Sequence, residues 1–109
     1  MKYPLRGEVW LVDLGLTAKV RPCVVVSRAI GDTDRALITI VPRTTSVRQT
    51  EFEAPVEVPF LKPGAFDAQG VVTIPVVRVI RQLGTLSAPQ MQSVEDAICR
   101  WLHLPCSRG

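Results

Sequence analysis

Residues that bind metals or form disulfides are scarce in this chain. Its 109 residues include one histidine, His103, and three cysteines, Cys23, Cys99 and Cys106. The cysteines are odd in number and have neither the paired spacing of metal ligands nor a disulfide pattern, so we expect three reduced thiols. His103 does not complete a metal site with them at any familiar spacing. Any catalysis is therefore expected to proceed without a protein-bound metal or another cofactor.

Long apolar runs are also absent. The longest ones have the length of a strand, and none approaches the ~20 residues of a membrane-spanning helix. The N-terminal residues lack the apolar region of a signal peptide. We therefore expect a cytoplasmic protein that does not bind membranes. With 47% hydrophobic and 21% charged residues, the composition fits one compact domain over residues 1–109.

The positive charge is small but consists mainly of arginine. The net charge is +3, and ten of the thirteen basic residues are arginine. A net charge of this size is weak evidence for nucleic-acid binding. Arginine, however, binds phosphate through a planar fork and stacks on bases in ways that lysine does not. A modest basic patch that binds nucleic acid is one explanation, and a GC-rich genome is the other.

Runs rich in β-branched residues predict several short strands. They cover residues 8–14, 23–26, 36–41, 56–58, 70–74 and 76–83. Proline is expected at their limits because it cannot donate a hydrogen bond inside a sheet. Pro22 is predicted to begin the second strand, Pro42 to end the third, and Pro75 to separate the last two. The polar stretch 44–53 is expected to be an exposed loop.

One helix is predicted near the C-terminal end. Ser87 and Gln90 have the spacing of a capping box, and Pro89 falls in the first turn. Apolar residues then recur every three to four positions, at 91, 94, 98, 101 and 102. Many short strands followed by one helix predict a mainly β fold, a small curled antiparallel barrel with the helix packed on it.

Three segments carry the residues with chemical interest. They are residues 6–10 (RGEVW), 21–27 (RPCVVVS) and 41–45 (VPRTT). They place the Arg21 guanidinium and the hydroxyls of Thr44 and Thr45 at the ends of neighbouring predicted strands. An arginine matches the geometry of a phosphate, and a threonine hydroxyl can donate to the same anion. The expected ligand is therefore a phosphodiester.

In this order, the three segments resemble those of the MazF/PemK (Kid-like) toxins of bacterial type II toxin–antitoxin systems. The resemblance extends from Arg6 to about Leu104 and includes the Gly-Val-Val strand at residues 70–72. It implies an SH3-like antiparallel β-barrel, a homodimer, and a metal-independent endoribonuclease that cuts single-stranded RNA. An acidic antitoxin that lies in the RNA groove is the implied protein partner.

The resemblance also assigns roles to individual residues. Arg21 and Thr44 are the implied catalytic residues, with Thr45 and Arg78 as possible further ones. Thr44 is favoured over Thr45 because it follows the Val-Pro-X segment at residues 41–43. The implied RNA contacts lie in the loops after the first and third strands, at Lys19, Arg43, Arg48 and Phe52.

Each of these assignments has a plain structural alternative. Arg21 could form a surface ion pair with Glu8 or Asp13, a common arrangement of exposed charges. The loop arginines could simply be solvated. Phe52 could pack in the core rather than stack on a base, a contact worth about 1–3 kcal/mol.

RNA cleavage of the implied kind needs no metal, because RNA supplies its own nucleophile, the 2′-hydroxyl. The protein has to orient sugar and phosphate, help to move protons, and stabilise the extra negative charge of the transition state. The expected products are a 2′,3′-cyclic phosphate and a 5′-hydroxyl. DNA lacks the hydroxyl and should not be cut.

Two departures from the family predict an activity that is weak, narrowly specific or absent. The loop after the first strand, residues 15–20, is short and lacks the polar cluster that many members have. Thr73 and Pro75 stand where some members place an arginine and an aspartate that transfer protons. Neither residue can titrate near neutral pH.

Two other functions stay open at this point. Toxins that resemble CcdB share this barrel and bind DNA gyrase through an apolar helix end with a tryptophan, and Trp101 and Leu102 resemble that ending. This hypothesis leaves Arg21 and Thr44 unexplained. A catalytically inactive barrel that binds RNA or a partner protein would fit the missing acid–base residues.

Overall fold

The computed structural model describes residues 3–15 and 19–106 of the chain. The elements in this part are β1 (Glu8–Asp13), β2 (Val20–Val25), β3 (Leu37–Thr44), β4 (Glu53–Ala54), β5 (Ala65–Asp67), β6 (Val72–Pro75), β7 (Val79–Thr85) and α1 (Ala88–Leu102). Two short 3-10 helices, Ala68–Gly70 and Val76–Arg78, flank β6. Within the predicted first loop, residues 16–18 lie outside the described residues.

The strands form one antiparallel sheet. Their order is β4-β5-β3-β2-β1-β7, and β6 also pairs with β3. In the described part of the chain, the outer strands β4 and β7 do not pair with each other, so the sheet stays open. The predicted mainly β fold with a C-terminal helix is confirmed, although the sheet does not close into a full barrel.

The third strand continues past Pro42, where the sequence predicts its end. Pro42 pairs with Cys23 of β2, and β3 reaches Thr44. On its other edge, β3 pairs with β6 up to Ile40 and with β5 from Arg43 onward. Pro42 therefore falls where β3 changes partner, and such a junction tolerates a residue that lacks an N–H.

The prediction of an edge strand at residues 56–58 is wrong. The two-residue strand β4 lies just before it, at Glu53–Ala54. Val56 is buried, and its N–H donates to the Ala54 carbonyl at 2.8 Å. The alternation of apolar residues here reflects packing into the core rather than strand pairing. The predicted break at Pro75 is confirmed, since a 3-10 helix begins directly after it.

The central strands are buried on both faces. One face packs on α1 through a cluster that includes Val9, Val24, Val41, Phe66, Met91 and Val94. Side chains on the other face form a second buried cluster, which includes Val12, Cys23, Val25, Ile38 and Ile40. Burial on both sides explains why β2 has a continuous apolar run instead of an alternating pattern.

The helix begins as predicted. The Ser87 hydroxyl accepts from the Gln90 N–H at 3.3 Å, and the Gln90 side chain accepts from the Ser87 N–H at 2.8 Å. These reciprocal bonds form the capping box. The helix ends at Leu102, after which His103 has a left-handed conformation with φ of 56°. Among the described residues, no helix is long and apolar enough to cross a membrane.

The prediction of three reduced thiols is wrong for two of the cysteines. Cys99, in α1, forms a disulfide with Cys106, and their Cα atoms are 6.0 Å apart. The left-handed His103 lets the chain turn back along the helix end, which brings the two residues together. Cys23 is a free and buried thiol. Burial raises the pKa of Cys23 to about 12, although the nearby Arg21 charge opposes the shift.

Candidate active site

The two residues predicted to be catalytic meet at one cavity. Arg21 lies in β2, where it pairs with Val12 of β1. On its other side β2 pairs with β3 through Cys23 and Pro42. Following this antiparallel register two residues further places Arg21 opposite Thr44. Both residues line a cavity of about 590 Å³, which we call the site cavity.

The Arg21 side chain is exposed and reaches toward β3. Its Nη1 atom donates a long hydrogen bond of 3.5 Å to the Arg43 carbonyl. A guanidinium carries five N–H donors, so this bond is compatible with binding an oxyanion at the same time. Glu8, considered from the sequence as an ion-pair partner, accepts from the Leu5 N–H and the Trp10 indole N–H.

Thr44 and Thr45 border different cavities. Thr44 is half-buried, and its Oγ1 atom accepts from the Ser46 N–H at 3.0 Å. Because the hydroxyl oxygen accepts this bond, its own proton can be donated to a phosphate oxygen. Thr45 is exposed and lines a second cavity of about 460 Å³. Arg21 borders both cavities.

The second cavity has basic side chains around it, and we call it the basic cavity. Lys19, Arg21, Lys62 and Arg81 all line it. Lys19 is one of the predicted RNA contacts. Lys62 and Arg81 were not predicted, because they are far from Arg21 in sequence. The pairing of Arg81 with Leu11 of β1 brings it to the same end of the sheet.

Arg48 is one of two predicted RNA contacts that line the site cavity, and Arg43 is the other. Arg48 belongs to the exposed loop of residues 45–52, between β3 and β4, and we call this segment the recognition loop. The Arg48 side chain lines the site cavity together with Arg21 and Thr44. The three residues come from different elements, and the sheet brings them together.

Arg43, also a predicted RNA contact, is used inside the protein. Its side chain is 3% exposed. The guanidinium donates to the Val56 carbonyl, to the Lys62 carbonyl at 3.0 Å, and to the Glu57 carboxylate at 3.3 Å. It also lies 5.0 Å from the centre of the Phe66 ring. Burial lowers the pKa of Arg43, which the Glu57 charge partly offsets. These internal bonds argue against a direct contact with RNA.

Phe52 lies away from the site cavity. Its ring packs edge-on against Trp101 with the ring centres 5.2 Å apart. It lines a third cavity, of about 790 Å³, at the end of α1 beside Arg100 and the disulfide. We call this the helix-end cavity. The structure therefore favours the packing alternative for Phe52, although its partner Trp101 is 40% exposed.

The positions that depart from the family pattern offer no titratable group. The Thr73 hydroxyl forms a hydrogen bond of 2.7 Å with the Thr39 hydroxyl, and Pro75 pairs with Leu37. Arg78, a possible catalytic residue, follows in the 3-10 helix after Pro75. It is exposed and lines neither of the two cavities around Arg21 in the described part of the chain.

Two carboxylates in the site cavity were not predicted from the sequence. Glu53 of β4 and Asp67 of β5 lie opposite each other in the sheet, and both line the site cavity. Glu53 accepts from the Arg48 and Thr50 N–H groups at 2.9–3.1 Å. The N–H of Arg48 contributes most to lowering the pKa of Glu53, followed by that of Thr50.

Within the described residues, Asp67 accepts fewer hydrogen bonds than Glu53. Its Oδ1 atom accepts from the Gln69 N–H at 3.0 Å and caps the short 3-10 helix that follows. A weak signal for one of the two carboxylates was present in the sequence, because Thr50 and Glu53 have capping-box spacing without a helical pattern behind them. Among residues 3–15 and 19–106, no three His, Cys, Asp or Glu side chains cluster as metal ligands would.

Comparisons with known proteins identify relatives that are toxins and endoribonucleases. A family model described as the PemK-like, MazF-like toxin of type II toxin–antitoxin systems matches residues 5–102. Endoribonuclease MazF3 of Mycobacterium tuberculosis is 32% identical over 82 residues, which cover 73% of this chain and 80% of the relative.

Solved structures show the same fold. An endoribonuclease from a mycobacterial species, in complex with its cognate antitoxin, matches with a TM-score of 0.82 and 25% identity, covering 95% of this chain and 99% of that one. The Mycobacterium tuberculosis toxin MazF-mt6 matches with a TM-score of 0.79 and 30% identity, covering 91% and 99%. The family predicted from the three sequence segments is confirmed, and the chain belongs to the PemK-like, MazF-like toxins of type II toxin–antitoxin systems.

Proposed function

We propose that this toxin is an endoribonuclease that cleaves single-stranded RNA at the site cavity, without a metal. The observation that carries the proposal is that Arg21 and Thr44, which lie on the paired strands β2 and β3, line one cavity. A guanidinium and a hydroxyl donor at one cavity suit the oxygens of one phosphodiester. The names of the relatives support the same activity.

The reaction uses the 2′-hydroxyl of the RNA as nucleophile. The 2′-oxygen attacks the phosphorus and loses its proton, the bond from phosphorus to the 5′-oxygen breaks, and the 5′-oxygen takes up a proton. Arg21 stabilises the additional negative charge on the phosphoryl oxygens, and Thr44 donates to one of them and holds the phosphate in line. The products are a 2′,3′-cyclic phosphate and a 5′-hydroxyl.

A proton acceptor is needed for the 2′-hydroxyl, and the site cavity offers Asp67 for this role. The carboxylate of Glu53 is occupied by the N–H groups of Arg48 and Thr50, and the resulting low pKa makes it a poor base. Within the described residues, Asp67 uses one oxygen, Oδ1, to accept the helix-capping bond from the Gln69 N–H. Its position in the same cavity as Arg21 compensates for the missing titratable groups at Thr73 and Pro75.

The basic cavity extends the site for a longer strand. Lys19, Arg21, Lys62 and Arg81 line it, and Arg21 connects it with the site cavity. Phosphates next to the cleaved one would be held there by charge, which makes binding weaker at higher salt. The same basic surface fits an acidic antitoxin segment, which would block both cavities. A solved relative is an endoribonuclease in complex with its cognate antitoxin.

A homodimer is part of the proposal. The described chain has exposed apolar side chains, among them Val77 of the second 3-10 helix at 83% exposure and Ile80 of β7 at 53%. A second copy that covers such side chains would remove apolar area from water. Sedimentation at two protein concentrations measures this directly.

A barrel that binds RNA without cutting it is the second candidate. Thr73 and Pro75 at the family's proton-transfer positions favour it. The gyrase-binding hypothesis is weaker, because the matched family is that of PemK-like, MazF-like toxins and because Trp101 packs edge-on against Phe52.

The test is cleavage of a long single-stranded RNA by purified, antitoxin-free protein in excess EDTA, beside DNA of the same sequence. We expect cuts in RNA only, with cyclic-phosphate ends. An Asp67→Asn variant keeps an oxygen that can cap the 3-10 helix and should cleave more slowly because it cannot accept the proton. RNA that binds to the folded protein but stays intact would contradict the enzymatic function and favour the second candidate.

A further inference from the structure

We infer that Glu53 is a positioning residue for RNA recognition. Its carboxylate shapes the recognition loop, so that Arg48 faces the site cavity and contacts the RNA. This inference rests on the proposed function, since it concerns how the same site holds its substrate. Glu53 itself acts through Arg48 and does not touch the reacting phosphate.

The hydrogen bonds of Glu53 define the shape of the loop. Both carboxylate oxygens accept from the Arg48 N–H, at 3.1 and 3.0 Å, and Oε1 also accepts from the Thr50 N–H at 2.9 Å. Between these residues Gln49 has a left-handed conformation with φ of 58°. A carboxylate that accepts from backbone N–H groups on either side of such a residue stabilises a turn that the chain would not adopt by propensity alone.

The turn is closed at its C-terminal end as well. The Glu53 N–H donates to the Thr50 carbonyl at 3.2 Å, and the Phe52 N–H donates to the Thr50 hydroxyl at 3.3 Å. Together with the bond from Thr50 to Glu53, these form a reciprocal arrangement like a capping box, but no helix follows. The loop is therefore organised around one side chain.

The position of Glu53 in the sheet connects this turn with the active site. Glu53 is half-buried in β4 and lines the site cavity, opposite Asp67 of β5. Two carboxylates directly opposite each other in a sheet repel, which is unfavourable unless nearby donors stabilise the charges. The N–H groups of Arg48 and Thr50 are such donors for Glu53. They offset the repulsion between the two carboxylates, so that Glu53 can hold Arg48 at the cavity that Asp67 also lines.

The far side of the loop is fixed by the helix. Arg100 of α1 donates through Nε to the Glu51 carbonyl at 2.8 Å, and Phe52 packs on Trp101. These contacts lie at the helix-end cavity and leave the Arg48 side chain at the site cavity. Glu53 is the residue that links the anchored part of the loop with the part that carries Arg48.

This geometry predicts a particular kinetic change. If Arg48 binds RNA equally well in the ground state and in the transition state, misplacing it raises KM and leaves kcat nearly unchanged. Losing one charge-assisted contact should raise KM on the order of tenfold. A variant that damages the catalytic groups would lower kcat instead.

The experiment compares Glu53→Gln with Glu51→Gln in steady-state cleavage of a short single-stranded RNA. The control carboxylate, Glu51, lies at the helix-end cavity, 3.9 Å from Arg100. We expect a raised KM at similar kcat for Glu53→Gln and wild-type kinetics for Glu51→Gln. In an Arg48→Ala background, Glu53→Gln should add little, because both changes remove the same contact.

Amide NMR spectra of the RNA-free protein provide a readout that does not depend on activity. In the wild type, the Arg48 and Thr50 N–H signals should move together when Glu53 titrates, and this movement should disappear in Glu53→Gln. A wild-type enzyme that cleaves RNA, beside a folded Glu53→Gln variant with unchanged KM, would overturn the inference alone. If the wild type neither cleaves nor binds RNA, the proposed function fails together with it.

Discussion

Arg21 and Thr44 each lie two residues beyond Cys23 and Pro42, the last pair of the β2–β3 ladder, and both line the site cavity. The ladder pairs Cys23 with Pro42, and the same register continued outward reaches the two residues. Side chains alternate along a strand, so two neighbouring threonines are directed to different sides, and Arg21 borders a cavity on each side. The site cavity contains Thr44, while Thr45 borders the basic cavity.

This alternation predicts which threonine matters for cleavage. Thr44→Val removes the hydroxyl donor but keeps the side-chain shape, and should lower kcat by roughly 10–100-fold, within the range for loss of one transition-state donor. Thr45→Val should have the smaller effect. Single-turnover cleavage of one RNA oligonucleotide compares the two variants. A larger loss of rate for Thr45→Val than for Thr44→Val would contradict the prediction and assign the hydroxyl donor to Thr45.

Arg43 of β3 and Arg48 of the recognition loop should behave in opposite ways when each is replaced by alanine. Arg43→Ala leaves the carbonyls of Val56 and Lys62 without their buried donor, and should lower the free energy of unfolding by roughly 3 kcal/mol. Arg48→Ala changes an exposed side chain and should alter stability by less than about 0.5 kcal/mol, while weakening RNA binding. Urea unfolding and RNA-binding titrations of both variants measure this contrast. Equal stabilities would contradict the internal role of Arg43.

The stability contributed by Glu53 should depend on pH. Its pKa in the folded protein is lowered from the ordinary value of 4.5, chiefly by the Arg48 N–H. A group with a lowered folded pKa stabilises the protein fully above its unfolded pKa, and the contribution is lost as the pH falls through the folded value. The difference in unfolding free energy between wild type and Glu53→Gln should therefore be constant near neutral pH and shrink below about pH 4.5. A difference that grows toward acid would contradict the assigned hydrogen bonds.

The number of reactive thiols tests the disulfide between Cys99 and Cys106. Protein prepared without a reductant should expose one reactive thiol when it is denatured, from Cys23, and three after reduction. In the native state Cys23 should react slowly, because burial raises its pKa to about 12 and only the thiolate reacts. Three reactive thiols in the denatured, unreduced protein would instead support the prediction made from the sequence.

The sequence predicted the parts of this protein that follow from local pattern. The capping box at Ser87 and Gln90, the helix behind it, and the buried run of β2 are each specified by neighbouring residues. The positions of Arg21 and Thr44 followed from the resemblance of short segments. In each case the information lies within a few residues of the element it describes.

What the sequence did not predict depends on distant contacts. Pro42 looks like a strand end until the change of partner strand on its far edge is known. Cys99 and Cys106 form a pair only because His103 turns the chain. From its neighbours in sequence, Arg43 cannot be distinguished from an exposed arginine, because its bonds to the carbonyls of Val56 and Lys62 join distant residues. The role of Glu53 depends on the folded shape of the recognition loop. Tertiary contacts decided each of these.

The central claim is that Arg21 stabilises the transition state of RNA cleavage at the site cavity. The most direct test is the single-turnover rate of cleavage of one RNA oligonucleotide in EDTA, for wild type and Arg21→Ala, with the affinity for an uncleavable 2′-deoxy analogue measured in parallel. We expect Arg21→Ala to lose roughly 10²–10³-fold in rate with a much smaller loss in affinity. An Arg21→Ala enzyme that is folded and cleaves at the wild-type rate would contradict it.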